Sequence, residues 1–407
     1  MLAPMPIASV ARLRGVPWHG LDRLGPVLDP VVAAVLAGAP AERELARLLR
    51  REQATITGPR RLAVAEAVLG AGLWRRRLAV APGLAPRAVV VRLARDLGGA
   101  ADAPRWLEHD AAPAPEPASF ADAFSLPDWL ASEVSRTPSP ARLADALNQP
   151  GPIALRASTL RASPAALAAR LADEGVSTRP GAWARDAVVV VERRRGLYGL
   201  GAWHDAWFEV QDEGSQLLAE IVDARPGHRV LDLCAGAGGK ALALAAHMAD
   251  TGELWATDID TERLARLRTR AARAGATCVR TCRRDAIPEG RFDRILVDAP
   301  CSELGALRRG PDLRWRLDPA AFAPLPALQR ALVVEAASRL APGGHLVYAT
   351  CTFRREENEE VAAAAEAACG ELERVPAGPL ADADGALRTW PHVHGTDGFF
   401  AVAWRRR

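Results

Sequence analysis

Val230-Leu-Asp-Leu-Cys-Ala-Gly-Ala-Gly-Gly-Lys240 decides the fold. An apolar strand runs into a loop with Gly236, Gly238 and Gly239, and a helix follows. Glycine lets the backbone pass close to a ligand, and a helix N-terminus offers free N–H donors. Taken alone, such a turn also fits a dinucleotide. Working outward, strands read at 229–233, 253–258, 292–298, 345–351 and Phe399–Trp404. Helices read near 239–249, 260–274, 319–341 and 355–369. This alternation predicts an α/β domain over 211–407: a Rossmann-like, mostly parallel seven-stranded sheet covered by helices on both faces. Ligands of such sheets sit beyond the carboxyl ends of the strands.

Acidic residues occupy those ends. Asp258, in Ala256-Thr-Asp258-Ile-Asp260, lies about 20 positions beyond the loop, where a carboxylate accepts from ribose hydroxyls. Asp285 follows a third short strand, and Asp298 ends the fourth. Three acidic strand ends around a glycine loop suit a cationic, adenosine-bearing ligand better than a pyrophosphate. S-adenosylmethionine, with a sulfonium and an amine, fits. The expected cofactor residues are Cys234, Ala235, Gly236, Ala237, Gly238, Gly239, Lys240, Asp258, Asp285 and Asp298. Lys240 is the sole lysine among 52 basic residues, and the rest are arginine. A chain that keeps one compact ammonium there has a use for it, against the cofactor carboxylate or a neighbouring Asp.

Two cysteines fall on the same edge. Asp298-Ala-Pro-Cys301 and Tyr348-Ala-Thr-Cys351 each place a thiol at or just past a strand end. The six cysteines include no CxxC pair and no zinc spacing, so no metal is expected. Cys278 and Cys282 read as strand neighbours, and Cys369 as a buried helix-end side chain.

Asp-Ala-Pro-Cys-Ser, then Leu307-Arg-Arg-Gly-Pro-Asp-Leu-Arg-Trp315, with Ala-Thr-Cys downstream, resembles the RsmB/Fmu (Sun, Nop2-like) family of RNA cytosine-5 methyltransferases. The resemblance covers roughly 125–407 and includes Pro127-Asp-Trp-Leu130, Gln211-Asp-Glu-Gly-Ser-Gln216, Glu356-Glu-Asn-Glu359 and Asp397-Gly-Phe-Phe400. It implies a methyl transfer from S-adenosylmethionine to carbon 5 of a cytosine. Cys351 would be the nucleophile adding to carbon 6, Cys301 would assist product release, and Asp298 would bond the cytosine edge. Ribosomal RNA is the implied substrate, as a single-stranded or flipped cytosine, with transfer RNA the alternative. A non-catalytic RNA-binding or ribosome-assembly factor that retains cofactor binding is the different-class alternative. Only a thiolate reacts, so Cys351 is expected to have a lowered pKa, supplied by Arg308, Arg309 or the next helix N-terminus. The sequence departs from the family pattern at Ala237, Ala241 and Glu303, where relatives commonly have Pro, Thr and Gly. A carboxylate at 303 would raise a neighbouring thiol's pKa and repel phosphate.

The first half is organised differently. Residues 1–110 read as a helical module, with Pro59–Trp74 carrying apolar residues at 62, 64/65, 68/69 and 73. These helices faintly resemble the family's NusB-like RNA-binding extension and are short for it. Residues 111–119 form a Pro/Ala linker. Over 120–210, a strand at Ile153–Ala157, a Ser163-capped helix ended by Gly175, and a strand at Asp186–Glu192 fit a small ferredoxin-like α+β domain contacting RNA. Arg308, Arg309, Arg314, Trp315 and Arg316 interleave cations with an aromatic, as phosphate clamping and base stacking require. Arg75–Arg77 and Arg193–Arg195 read either as RNA contacts or as solvated runs. Net charge is +3, and no apolar stretch or leader pattern points to a membrane. A cytoplasmic monomer is expected.

Overall fold

The computed structural model describes residues 7–193 and 196–407. Arg194, Arg195 and the side chain of Arg193 lie outside the described residues. Contacts divide the chain into two units. One runs to Pro150 and takes in Leu307–Pro319; the other holds Gly151–Ala306 and Ala320–Arg407.

The first unit is helical. Helices Gly25–Leu36, Ala41–Arg51, Pro59–Leu73 and Pro86–Arg92 pack around Leu28, Val32, Val64, Val68 and Leu93. In the third helix the expected Val64, Val68 and Leu73 are buried, with Ala63, Ala67 and Ala71 beside them, while Leu62, expected on the same face, is exposed. Each Leu or Val buried here contributes roughly 1.5–3 kcal/mol. The basic run at the end of that helix is used internally. Arg76 bonds Asp122 at 2.7 Å and Asp128 at 2.6 Å. The Arg75 guanidinium lies 5.4 Å from the centre of the Trp315 ring. The Pro/Ala stretch has no regular structure, yet Arg92, Arg95 and Arg77 hold its carbonyls at Ala112, Ala111 and Pro115.

Arg314 was expected at RNA, but it is fully buried in this unit. Its Nη1 donates to Asn148 Oδ1 at 2.7 Å and its Nη2 to the Leu147 carbonyl at 3.0 Å. Burial pushes its pKa down to about 9, and only Asp312 counters that. The guanidinium has no path to phosphate because its donors are turned onto the chain's own helix end. Asp312, also buried, accepts from the Ala41 amide at 3.2 Å. Asn148 in turn donates to the Phe124 carbonyl at 2.8 Å. Asn148→Ala is expected to cost about 2–3 kcal/mol, the value of a hydrogen bond to a buried charge. Denaturant unfolding measures this, and a change under about 0.5 kcal/mol would contradict the assignment.

In the second unit, β1 (Ala154–Ala157), β2 (Val176–Pro180), β3 (Ala187–Arg193) and β4 (Phe208–Val210) form an antiparallel sheet in the order β2-β3-β1-β4. Helix Pro164–Asp173 is capped by Ser163 Oγ, which accepts from the Ala166 amide at 3.2 Å. Leu155, Leu167, Leu171, Val176 and Phe208 fill the space between helix and sheet. The order and the packed helix are those of a ferredoxin-like domain. β2 and β4 were not legible in the sequence: β2 is mostly exposed and β4 has three residues.

The larger sheet contains β5 (Arg229–Asp232), β6 (Glu253–Thr257), β7 (Val279–Cys282), β8 (Phe292–Asp298), β9 (Leu340–Thr350), β10 (Leu372–Val375), β11 (Leu387–Thr389) and β12 (Phe399–Arg406). Its path is β10-β12-β9-β8-β5-β6-β7, with β11 beside β12. β5 to β9 run parallel, while β10, β11 and β12 pair antiparallel. This is the Rossmann-like, mostly parallel arrangement. The strand order reverses at β5, which pairs with both β6 and β8. A crevice therefore opens beyond the carboxyl ends of β5 and β8. The helix expected at 319–341 is a short turn at Pro319–Phe322 and a helix at Leu325–Arg339. The one expected at 355–369 is a turn at Arg355–Glu357, a break at Asn358 and a helix at Glu359–Ala368. Among the described residues, no helix is long and apolar enough to cross a membrane.

Candidate active site

The loop after β5 turns at Gly236 and Gly238, with φ of +54° and +87°. At Gly238 a Cβ would also come within 2.0 Å of Leu267 Cδ1, so both conformation and space call for glycine. Helix Gly239–His247 starts there. The Gly236 amide donates to Asp258 Oδ2 at 2.8 Å, and Asp258 Oδ1 accepts from the Asp260 amide at 2.8 Å. Two backbone donors thus fix the Asp258 carboxylate and leave its other lone pairs for the cavity. The structure separates the two acids of Asp258-Ile-Asp260. Asp258 lines the cavity, whereas Asp260 caps helix Thr261–Ala274 through the Glu262 and Arg263 amides.

The cavity, of about 450 Å³, is lined by Cys234, Ala235, Gly236, Ala237, Lys240, Asp258, Asp298, Cys301 and Cys351 among others. Gly238 and Gly239 lie behind it, at the turn and the first residue of the helix. Asp285 lies on an adjoining cavity with Arg283, Ile259 and Arg284, and its pKa is lowered by hydrogen bonds from Arg283. Several residues of this wall were not singled out from sequence, among them Phe399, Ser215 and Ile259. The first two lie in segments quoted for the family resemblance. Ile259, 89% exposed between two acids, is a large apolar side chain at the mouth.

Lys240 Nζ bonds Asp298 Oδ2 at 2.6 Å. Burial pulls the ammonium pKa down, but the Asp298 carboxylate more than offsets this and the net direction is up, so Lys240 stays charged. Asp232 lies fully buried behind the loop, and neither carboxyl oxygen has a hydrogen-bond partner of normal geometry. Burial, then Asp298, push its pKa up to about 7, tempered by Lys240 and the Cys234 amide. Arg270 joins the loop to the smaller sheet, donating to the Ala237 carbonyl at 2.5 Å and to Glu209 at 2.9 Å.

The two thiols meet: Cys301 Sγ lies 3.4 Å from Cys351 Sγ. The Cys351 pKa is held well above its ordinary value, in the direction opposite to that expected from sequence. A hydrogen bond with Cys301 acts first, then burial, then the Cys301, Asp298 and Glu303 charges. A buried thiolate among carboxylates is disfavoured, and Coulomb repulsion adds to desolvation.

Glu303 explains itself in part. Its φ is +57°, the left-handed region in which a side chain costs roughly 1–2 kcal/mol. A glycine fits that turn without strain. The Glu303 side chain is exposed at the cavity wall. Glu303→Gly is therefore expected to relieve strain and to move the pH profile of Cys351 alkylation downward, because one of the charges raising the thiol is gone. Iodoacetamide labelling against pH, read by peptide mass, checks this; an unchanged or upward-moving profile would contradict it.

The strand order, the glycine loop and the acidic strand ends define a Rossmann-like methyltransferase. Residues 219–405 match the family model described as 16S rRNA methyltransferase RsmB/F, and residues 126–195 match its ferredoxin-like domain. The chain belongs to the RsmB/F methyltransferase family, which uses S-adenosylmethionine. It is 34% identical over 268 residues to the Bacillus subtilis protein named probable ribosomal RNA small subunit methyltransferase B, covering 62% of this chain and 59% of that one. The Salmonella heidelberg ribosomal RNA small subunit methyltransferase F is 32% identical over 271 residues, covering 62% and 56%. The chain thus spans less than two thirds of the length of the curated relatives it matches. The crystal structure of PH0851 shares the fold, with a TM-score of 0.76 at 23% identity over 96% of this chain and 99% of that one.

The residues present fit S-adenosylmethionine. A glycine turn opens the backbone to the cavity, Asp258 offers free lone pairs beside it, and the acids 258 and 298 on its wall favour a cation. Among the described residues no three His, Cys, Asp or Glu side chains gather as a metal site.

Proposed function

We propose that this protein transfers a methyl group from S-adenosylmethionine to carbon 5 of a cytosine in RNA, with ribosomal RNA of the small subunit the substrate the relatives' names suggest. The observation carrying this is the pair of thiols 3.4 Å apart on the wall of a cavity that also holds the glycine loop.

Cytosine carbon 5 has no lone pair to accept a methyl group. The Cys351 thiolate adds to carbon 6, making the C6–S bond and turning the ring into an enamine nucleophilic at carbon 5. Bound S-adenosylmethionine supplies an electrophilic methyl group on a sulfonium. Asp298 bonds the cytosine edge, and Lys240 keeps the Asp298 carboxylate in place. After methyl transfer, a base takes the carbon 5 proton, the C–H electron pair re-forms the C5–C6 double bond and the Cys351 thiolate leaves carbon 6, which restores aromaticity; Cys301 assists that release. Gly236, Ala237 and Asp258 hold the cofactor with Cys234, Ala235, Lys240 and Asp285 nearby. Gly238 and Gly239 set the turn. The raised Cys351 pKa requires that substrate or a proton acceptor free the thiolate, so alkylation and turnover should both rise with pH.

The target cytosine is single-stranded or flipped, since a stacked base is out of reach. Arg308, Arg309 and Trp315 remain proposed RNA contacts, and Arg314 does not. The protein works as a cytoplasmic monomer, with the smaller sheet and the helices presenting RNA. The test is to incubate it with labelled S-adenosylmethionine and total RNA, then digest to nucleosides. Label in 5-methylcytidine is expected. Label in another nucleoside would overturn the regiochemistry, and label in transfer RNA alone would change the substrate. The raised thiol and Glu303 favour, as a second reading, a non-catalytic RNA-binding factor. Cofactor binding without any label transfer would select it.

A further inference from the structure

The turn Arg355–Glu357 and the break at Asn358 lie just past β9, behind the thiols. Glu357 is fully buried, with 0% of its surface exposed to solvent. Three donors converge on its carboxylate. Oε2 accepts from the Ser302 amide at 2.9 Å and from Gln329 Nε2 at 2.9 Å, and Oε1 accepts from Arg354 Nη1 at 3.1 Å. Gln329 Nε2 also donates to the Pro300 carbonyl at 2.9 Å. The peptide groups on either side of Cys301 are therefore both held by this pair.

Asn358 grips the other loop. Its Nδ2 donates to the Thr352 carbonyl at 2.9 Å, and its Oδ1 accepts from Thr350 Oγ1 at 2.6 Å. These residues flank Cys351. Ser302 Oγ and Thr352 Oγ1, one residue past each thiol, are hydrogen-bonded at 2.8 Å. The Gly305 amide donates to the Cys351 carbonyl at 2.9 Å. Neither Glu357 nor Asn358 is among the residues lining the cavity.

We propose that Glu357 and Asn358 are a pair of positioning residues that set the separation and aim of the two thiols. It rests on the proposed function only for what the thiols do, not for how they are held. A carboxylate is needed because it accepts from three donors at once and balances Arg354. An amide at 357 would turn an NH₂ toward a donor and leave one of the three without an acceptor. The loop around Cys301 would then be free to move away from Cys351.

Glu357→Gln tests this with a reagent that needs two thiols together. Phenylarsine oxide condenses with both, forming two As–S bonds and releasing one water, so it reports spacing without turnover. Wild type is expected to take one equivalent. Glu357→Gln should bind it about 10-fold more weakly, the scale of a lost charge-assisted hydrogen bond, while iodoacetamide still labels Cys351. For methyl transfer, kcat should fall with KM for S-adenosylmethionine unchanged. Glu357→Asp, which keeps the charge, should recover part of the arsenical affinity. If Glu357→Gln does not fold, Gln329→Met, which spares the carboxylate and its two other donors, takes its place. Wild-type arsenical affinity in a folded variant overturns the proposal. Weakened arsenical binding alongside a wild type that methylates no RNA leaves the positioning intact and removes the proposed function instead.

Discussion

Cys301→Ala, incubated with S-adenosylmethionine and total RNA, is expected to accumulate a covalent protein–RNA adduct, and Cys351→Ala is expected to form none. The two sulfurs are 3.4 Å apart, so either could reach the same base, and spacing alone does not divide the roles. The division comes from the family resemblance. If Cys351 adds and Cys301 assists release, removing the second thiol lets the C6–S bond form but not break. Turnover should fall by several orders of magnitude in both variants, as for loss of a residue acting within one catalytic unit. The adduct, seen as a band that RNase shortens and heat does not remove, separates them. The reverse pattern, an adduct in Cys351→Ala alone, would exchange the two roles. Cys301→Ala has a second effect that can be read without RNA. The hydrogen bond from Cys301 is the first cause of the raised Cys351 pKa, so its loss should move Cys351 alkylation to lower pH.

Asp232→Asn is expected to remove a pH dependence of stability that wild type carries near neutrality. The Asp232 pKa rises on folding from 3.8 to about 7, first through burial and then through Asp298. The folded state therefore holds the proton more tightly than the unfolded chain. Stability from this group is fully present below about pH 4 and is lost as pH rises to about 7. The shift corresponds to roughly 4 kcal/mol at 1.36 kcal/mol per pKa unit, an upper figure because Lys240 is coupled to the same acids. Denaturant unfolding at pH 5 and pH 8 should show wild type losing about 2–3 kcal/mol more than the variant over that interval. Parallel losses in the two proteins would mean that Asp232 has a partner in solution that lowers its pKa. Asn is neutral throughout, so the variant should be the more stable at pH 8.

Much of the site was legible because its signals are local. Gly236, Gly238 and Lys240 lie in one turn, and Asp258, Asp298 with Cys301, and Cys351 lie at or just past the carboxyl ends of the parallel strands β6, β8 and β9. A sheet topology with β5 between β6 and β8 then brings strand ends together whatever the loops do. What was missed depends on partners far along the chain. Arg314 reads as a surface cation until Asn148, 166 residues away, takes its Nη1. The Cys351 pKa went the other way because the hydrogen bond with Cys301, then burial and nearby carboxylates, not nearby arginines, decide it. Asp260 lies two residues from Asp258, yet one is a helix cap and the other faces the cavity, a difference set by where β6 ends. β2, β4 and β11 are short or exposed strands with no alternation to read. The start of β9 runs through Ala341-Pro-Gly-Gly344, where residue types argue against a strand.

Leu307–Pro319 folds with the helices rather than with the sheet that precedes and follows it in the chain. A protein begun at Gly151 would still carry this segment, with Arg314 bereft of Asn148 and Leu147, and Asp312 bereft of the Ala41 amide. Such a half would bear an orphaned charge and an unsupported stretch, open to proteolysis. Its natural remedy is the missing piece itself. Residues 1–150 supplied as a separate polypeptide should reassociate with the half that holds 307–319, so the helices and the remainder form a complementing pair of fragments and not two independent proteins joined by a linker.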